Sequence, residues 1–281
     1  MKTYLECIPC FFRQALFAAR AATNDEVKIK QVLDKVAGIV PDIPLDNPPP
    51  ETARLVYGAV RDVTGVEDPF KHHKDKSIKN ALQLYGKLKS AVEKAEDPLR
   101  TALSVAIAGN VIDLGASQGF DIDGEMKDVL NKTPVINHYA SFKQSVEKAP
   151  FILYLGDNAG ETVFDKILIE TLGKPTIYAV RDIPIINDAT IEDAEKSGIG
   201  EVARIMSSGC DAPGIILERC SSEFLELFRS ADVIVSKGQG NLESLSEVRR
   251  PIFFLLKVKC KIAARHIGAP EGELILKDNR F

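Results

Sequence analysis

At 281 residues the chain has room for one large domain or two modest ones, and either can bury a core. Hydrophobic residues at 45% and charged residues at 27% exclude intrinsic disorder. A formal net charge of −4 withholds the basic footprint of a nucleic-acid binder, so no nucleic-acid partner is expected.

The first segment, "MKTYLECIPCFFRQALFAARAA", carries Glu6, Cys7, Cys10 and Arg13 through its apolar part and does not read as a signal peptide. Cys7 and Cys10 stand three residues apart, on one face of a helix, and such a pair can bind metal, cycle redox or simply pack. A structural zinc site wants four ligands, and Cys210, Cys220 and Cys260 are scattered. Five cysteines, an odd number, argue against a disulfide framework, and a cytoplasmic location is expected.

Helical spacing continues through "VKIKQVLDKVAGIV", "PETARLVYGAVRDVTG", "SIKNALQLYGKLKSAVEKA" and "PLRTALSVAIAGNVIDLG", with breaks at proline-bearing stretches. Pro98 fits the first turn of the helix it opens. The lysines of "KHHKDKSIK" form a short basic run that reads as a solvated helix face. His72, His73, His138 and His266 have no metal-ligand spacing, so surface or cap roles are expected. Asn110 and Asp113 share a helix face, and polar groups in so apolar a segment need partners.

From about residue 149 short β-rich runs appear at 151–155, 175–180, 202–206, 232–236 and 251–256, with helical patterns between most of them. That alternation predicts an α/β fold, a three-layer α/β/α sandwich on a mostly parallel sheet. The predicted organisation is a helical N-terminal part, 1–148, followed by an α/β/α metal- and phosphate-binding domain, 149–281. No apolar stretch approaches the roughly 20 residues of a membrane span. The longest, "PIFFLLKVKC", is broken by Lys257 and Lys259, and no membrane partner is expected.

In an open parallel sheet, the loops after the strands' carboxyl ends share one edge, and ligands bind there. After the first strand comes "GDNAGE" with Asp157, Asn158 and Glu161; after the second comes "RDIPIINDAT" with Arg181, Asn187, Asp188 and Thr190. "SKGQGNLE" supplies Ser236, Lys237, Gly238, Gly240 and Asn241, and "KVKC" supplies Lys257 and Lys259. Carboxylate and amide oxygens suit a hard divalent cation, and Asp157, Asn158 and Asp188 form such a sparse set. Glycine-rich backbone ahead of a helix, with lysine at 237 or 257, suits a phosphate. Each piece alone has a structural reading: Asp-Asn-Ala-Gly is good turn chemistry, "NDAT" can cap a helix, and strand-end lysines can reach solvent. Their joint placement at one edge is what points to a ligand.

On "GDNAGE", "RDIPIINDAT", "SKGQGNLE" and "FFLLKVKC", with the N-terminal "ECIPCFFRQ", the chain resembles the metal-dependent damage-control phosphatases. These were formerly grouped as domain of unknown function 89, and the likeness is closest to the microbial branch with an N-terminal CxxC. The resemblance implies a helical part over an α/β/α sandwich and a divalent cofactor (Mn, Co, Ni or Mg) held by Asp157, Asn158 and Asp188. It also implies hydrolysis of small phosphate monoesters, such as sugar phosphates or damaged phosphometabolites. Asp157, Asp188 and Lys257 are then the expected catalytic residues, and Asn110, Ser236, Lys237, Gly238, Gly240 and Asn241 the expected substrate contacts. The "DPFKHHK" stretch resembles a family signature and offers Lys74 as a further contact. The expected partner is a small phosphorylated metabolite, and a homo-oligomer stays open.

Two other readings compete. A Rossmann-like protein holding a nucleotide or a methyl donor, without phosphatase activity, lacks GxGxxG after the first strand. A redox or metal-handling protein built on Cys7 and Cys10 leaves the C-terminal edge unexplained.

Overall fold

The computed structural model describes residues 1–109 and 133–281. Asn110 and Asp113, and with them the expected substrate contact at Asn110, lie outside the described residues.

Three helices open the chain: α1 (Cys7–Ala22), α2 (Glu26–Ile39) and α3 (Pro49–Thr64). Their apolar stripes meet in one cluster, Phe11, Ala15 and Ala19 of α1 against Val32 and Val36 of α2 and Val56, Tyr57 and Val60 of α3. The Asp25 side chain accepts from the N–H groups of Val27 and Lys28 to start α2, and Gly65 at φ 72° ends α3. Two further helices follow, α4 (Lys71–Glu93) and α5 (Pro98–Ala108). Pro98 occupies the first turn as expected, and the Asp97 carboxylate caps it by accepting from Arg100 N–H.

Among the described residues the sheet has seven strands: β1 (Ile136–Asn137), β2 (Ile152–Leu155), β3 (Thr176–Val180), β4 (Arg204–Ser207), β5 (Val233–Lys237), β6 (Ile252–Lys257) and β7 (Leu274–Asp278). Their order is β1-β7-β6-β5-β2-β3-β4, and every pairing is parallel except β6 with β7. Side chains alternate across it. Val233, Val235, Phe253 and Leu255 face a cluster shared with α4, α5 and the helix Thr162–Leu172. Ile234, Phe254 and Leu256 face a second cluster with Phe224 and Phe228 of the helix Ser222–Ser230. Each such side chain contributes roughly 1.5–3 kcal/mol when fully buried. The result is the expected three-layer sandwich. The first cluster runs from Ile78 to Leu276, so the core continues across residue 148, and α1 to α3 form the separate helical cluster. Among the described residues no helix is long and apolar enough to cross a membrane.

From β2 the chain builds outward through β3 and β4, then returns to β5 on the other side of β2 and builds toward β6. The loops after β2 and β5 therefore part at a topological switch point, where open sheets leave a crevice.

Candidate active site

The loop after β2 and the loop after β3 are stitched together. Asn158 and Asp188 form an isolated antiparallel bridge, with Ala159 N–H donating to Asn187 C=O at 2.8 Å and Ala189 N–H to Asp157 C=O at 2.7 Å. These bonds bring Asp157, Asn158 and Asp188 to one place from positions thirty residues apart in the chain. Between them Ile186 adopts φ 47°, a backbone conformation costly for a β-branched residue, and it lines the same cavity. The cap of the helix Ile191–Lys196 is Thr190, in a reciprocal capping box with Asp193, so Asp188 is not spent on capping.

Arg181, fully buried, sits behind the two carboxylates. Its Nε donates to Asp188 Oδ2 at 2.7 Å, and its Nη2 lies 3.6 Å from Asp157 Oδ1. Among the described residues Nη1 and Nη2 have no hydrogen-bond partner. Burial, reinforced by the neighbouring Asp188 and Glu161 charges, pushes the Asp157 carboxyl up to about 8. Burial also raises Asp188, against the pull of Arg181. Asn158 Nδ2 donates to Asp157 Oδ2 at 3.0 Å and to Glu161 Oε1, which commits the amide's N–H₂ end and leaves its carbonyl oxygen as the end available to a cation.

Glu161 is anchored in turn by Lys237. Nζ of Lys237 lies 2.9 Å from Glu161 Oε2 and 2.7 Å from Asp165 Oδ1, and Tyr154 and Tyr178 both donate to Asp165. All of these groups are buried.

A cavity of about 310 Å³ opens over this edge. Asp157, Asn158, Asp188, Gly240 and Lys259 line one side, and Phe11, Phe17, Pro49 and Tyr57 of α1 and α3 line the other. Gly238, at φ 78°, presses against the carboxylate: a Cβ there would stand 2.0 Å from Asp157 Oδ2. Only glycine fits at that position.

The structure thus gathers Asp157, Asn158, Asp188, Gly238 and Gly240, and it places four other expected residues away from the cavity lining. Lys237 points into the layer below the sheet, on the same face as Val233 and Val235, and is held by Glu161 and Asp165. Ser236 is buried on the opposite face, without a hydrogen-bond partner among the described residues. Asn241 is a buried tie, donating to Gly156 C=O and Lys237 C=O and accepting from Ile215 N–H. Lys257 shares strand register with Phe253 and Leu255 and does not line the cavity; among the described residues the cation that does is Lys259, two residues on. Lys74 is equally remote, buried between Asp68 and Asp193 at 2.8 Å each. His138 Nδ1 accepts from Asp278 N–H and His266 pairs with Ser246, in keeping with cap and surface roles.

Two mutually repelling buried carboxylates and an oriented amide form an oxygen-only donor set that fits a hard divalent cation. Among the described residues no group of three or more His, Cys, Asp or Glu is arranged to hold a metal, and the third oxygen here comes from an amide. Arg181, Glu161 and Lys259 each stand within the strand-end motifs, but their residue types alone do not set them apart from their neighbours. The roof from α1 and α3 had no local signal, because it depends on packing over a hundred residues away in the chain.

An α/β sandwich with a carboxylate–amide site at its switch point and a helical roof defines a small-molecule site of the open-sheet class. The family model for the damage-control phosphatase ARMT1-like domain matches residues 3–275, and the chain belongs to that family. It is 36% identical to a damage-control phosphatase of Pyrococcus horikoshii, over 100% of this chain and 99% of that one. A damage-control phosphatase of Archaeoglobus fulgidus is 33% identical with 99% of both chains covered, and an uncharacterized protein of Methanocaldococcus jannaschii is 37% identical over 96% of this chain and 93% of its own. A crystal structure of a DUF89 family protein from P. horikoshii superposes with a TM-score of 0.94 at 34% identity, covering 99% of both chains.

Proposed function

We propose that this chain is a metal-dependent phosphatase that hydrolyses small phosphate monoesters, such as sugar phosphates or damaged phosphometabolites, in the cytoplasm. The observation that carries the reading is the bridge between Asn158 and Asp188, which joins both carboxylates and the oriented amide under one cavity. Its match to a family named for damage control supports the reaction class.

Asp157, Asn158 and Asp188 would hold a divalent ion (Mn, Co, Ni or Mg), which when bound supplies Lewis acidity toward the phosphoryl group and lowers the pKa of water. Lys259 then neutralises charge that grows on the phosphoryl oxygens, the role first expected of Lys257. Arg181 balances the two carboxylates from behind without entering the cavity. Glu161, fixed by Lys237, holds the Asn158 N–H₂ end, so that the amide oxygen would be the group offered to a bound ion. Phe11, Phe17 and Tyr57 exclude water and receive the organic part of the substrate. Direct attack by water is preferred over a phospho-aspartate at Asp157, because enzymes of that second kind pair two aspartates as DxD and here residue 159 is alanine.

The test is p-nitrophenyl phosphate hydrolysis by metal-stripped protein, with each divalent metal added back. Restored turnover that disappears in Asp157→Ala and Asp188→Ala is expected; wild-type, metal-dependent turnover in both variants overturns the site. The stereochemistry at phosphorus separates the two chemistries: a phosphate monoester made chiral with oxygen isotopes is expected to invert in one displacement by water, and net retention contradicts direct attack.

A further inference from the structure

Beyond Asp157 and Asp188, the cavity wall carries one more acid. Glu243, on the helix Gln239–Leu245 that follows β5, is half-buried and lines the same cavity as Lys259. One side chain fixes it there. Gln239 Nε2 donates to Glu243 Oε1 at 2.7 Å, while Gln239 Oε1 accepts from Lys259 N–H at 2.8 Å. The amide therefore ties the acid to the backbone of the lysine that faces the phosphoryl group in the reading above.

The amides lining this part of the cavity are engaged by their neighbours. Gln239 Nε2 also reaches Cys260 Sγ at 3.5 Å. Gln14 Nε2 donates to Cys10 Sγ at 3.5 Å, and Gln14 Oε1 accepts from Tyr57 O–H at 3.2 Å. With Oε1 of Glu243 taken by Gln239, Oε2 is the oxygen available to a bound molecule. Burial pushes this carboxyl up to about 7, against the Gln239 hydrogen bond and the charges of the N-terminal amine and Lys259, so at pH 8 it is mostly ionised. A carboxylate held in a cavity built for a phosphate ester repels the ligand's own charge. That arrangement is tolerable only where the part of the ligand beside it is neutral and offers a proton donor.

We propose that Glu243 is a specificity-determining residue: its carboxylate accepts a hydrogen bond from a hydroxyl on the alcohol part of the substrate and turns away esters that carry a second anionic group there. The proposal rests on the phosphatase reading of the cavity. The phosphoryl group lies toward Lys259, and the alcohol extends along the wall to Glu243 under the apolar roof of Phe11 and Phe17. The hydrogen bond to an ionised acceptor is of the stronger kind, and a like charge at the same place is rejected by repulsion as well as by the lost bond. The substrate class narrows to monophosphates of neutral, hydroxyl-bearing alcohols, and bisphosphates and phosphorylated hydroxy acids are disfavoured.

Two esters of matched size carry the test, glycerol 1-phosphate and 3-phosphoglycerate, which end in a hydroxymethyl group and a carboxylate. Each competes with p-nitrophenyl phosphate for the full-length, Mn²⁺-loaded protein at pH 8, and calorimetric titration of each ester gives the same comparison without turnover. The wild-type protein is expected to bind glycerol 1-phosphate roughly 10-fold or more tightly than 3-phosphoglycerate. Glu243→Gln, which keeps the shape and removes the charge, is expected to lose most of that preference, chiefly by gaining affinity for 3-phosphoglycerate. Equal binding of the two esters by the wild-type protein, a preference for 3-phosphoglycerate, or binding of neither overturns the proposal. A Glu243→Gln protein that weakens toward both esters in equal measure also overturns it, because a merely structural role predicts that result. Absence of hydrolysis by the wild-type protein with every divalent metal overturns the phosphatase reading, whereas a calorimetric preference abolished in Glu243→Gln supports the Glu243 assignment on its own.

Discussion

Lys259 and Lys257 stand two positions apart at the end of β6, yet only the first reaches the cavity. The strand's alternation aims Lys257 with Phe253 and Leu255, whereas Lys259 has left the sheet and can turn over its edge. If Lys259 carries the phosphoryl charge, Lys259→Ala lowers kcat/KM for p-nitrophenyl phosphate by about 10²-fold, the scale of losing one preorganised charge-stabilising group. Lys257→Ala leaves it near wild type. Steady-state kinetics on both variants checks the pair, and equal losses would contradict the assignment. The sequence displayed both lysines side by side; choosing between them required knowing where the strand stops. Asp157, Asn158 and Asp188 were legible because acid and amide at a strand's carboxyl end are chemically costly unless something holds them. Arg181 was visible too, but nothing in its neighbours announced that it would turn inward.

At the scale of elements, Lys237 ties β5 to the loop and helix that follow β2. Its ammonium satisfies two buried carboxylates, Glu161 and Asp165, and two tyrosine hydroxyls complete the network. Lys237→Met would strand those carboxylates and cost about 3–5 kcal/mol, the usual cost of breaking a buried pair from one side. Urea unfolding measures this, and a cost within the range of a surface substitution would show that the network carries no such weight. Five strands were legible as apolar runs because parallel strands buried on both faces read that way. β1 and β7 were not: β1 is two residues long, and β7 pairs antiparallel with β6 through contacts that leave no periodic trace. The apolar spacing of α1 and α3 announced helices but not a roof, since which loop a helix covers is a tertiary matter.

For the whole molecule, two buried carboxylates of like charge impose a pH dependence whose sign is fixed. The Asp157 carboxyl titrates near 8 in the folded protein, against roughly 3.9 in an unfolded chain, so the folded state binds more protons between these values. The contribution of this carboxyl to the stability of the metal-free protein is therefore greatest below the lower value and falls as pH rises toward 8. If a divalent ion binds here as proposed, it displaces the Asp157 proton, which flattens this decline and makes its affinity rise with pH. Thermal melts from pH 5 to 9, with and without Mn²⁺, measure both effects; metal-free stability that rises over this interval would contradict the paired-carboxylate account.

The most direct measurement is anomalous diffraction from crystals grown with Mn²⁺ and a non-hydrolysable phosphate analogue. The account predicts one Mn²⁺ peak bounded by the carboxylates of Asp157 and Asp188 and the amide oxygen of Asn158, with the phosphate lying between that ion and the Lys259 ammonium. Manganese found at the Cys7–Cys10 pair, or a phosphate bound away from Lys259 with no peak between the two carboxylates, would contradict it.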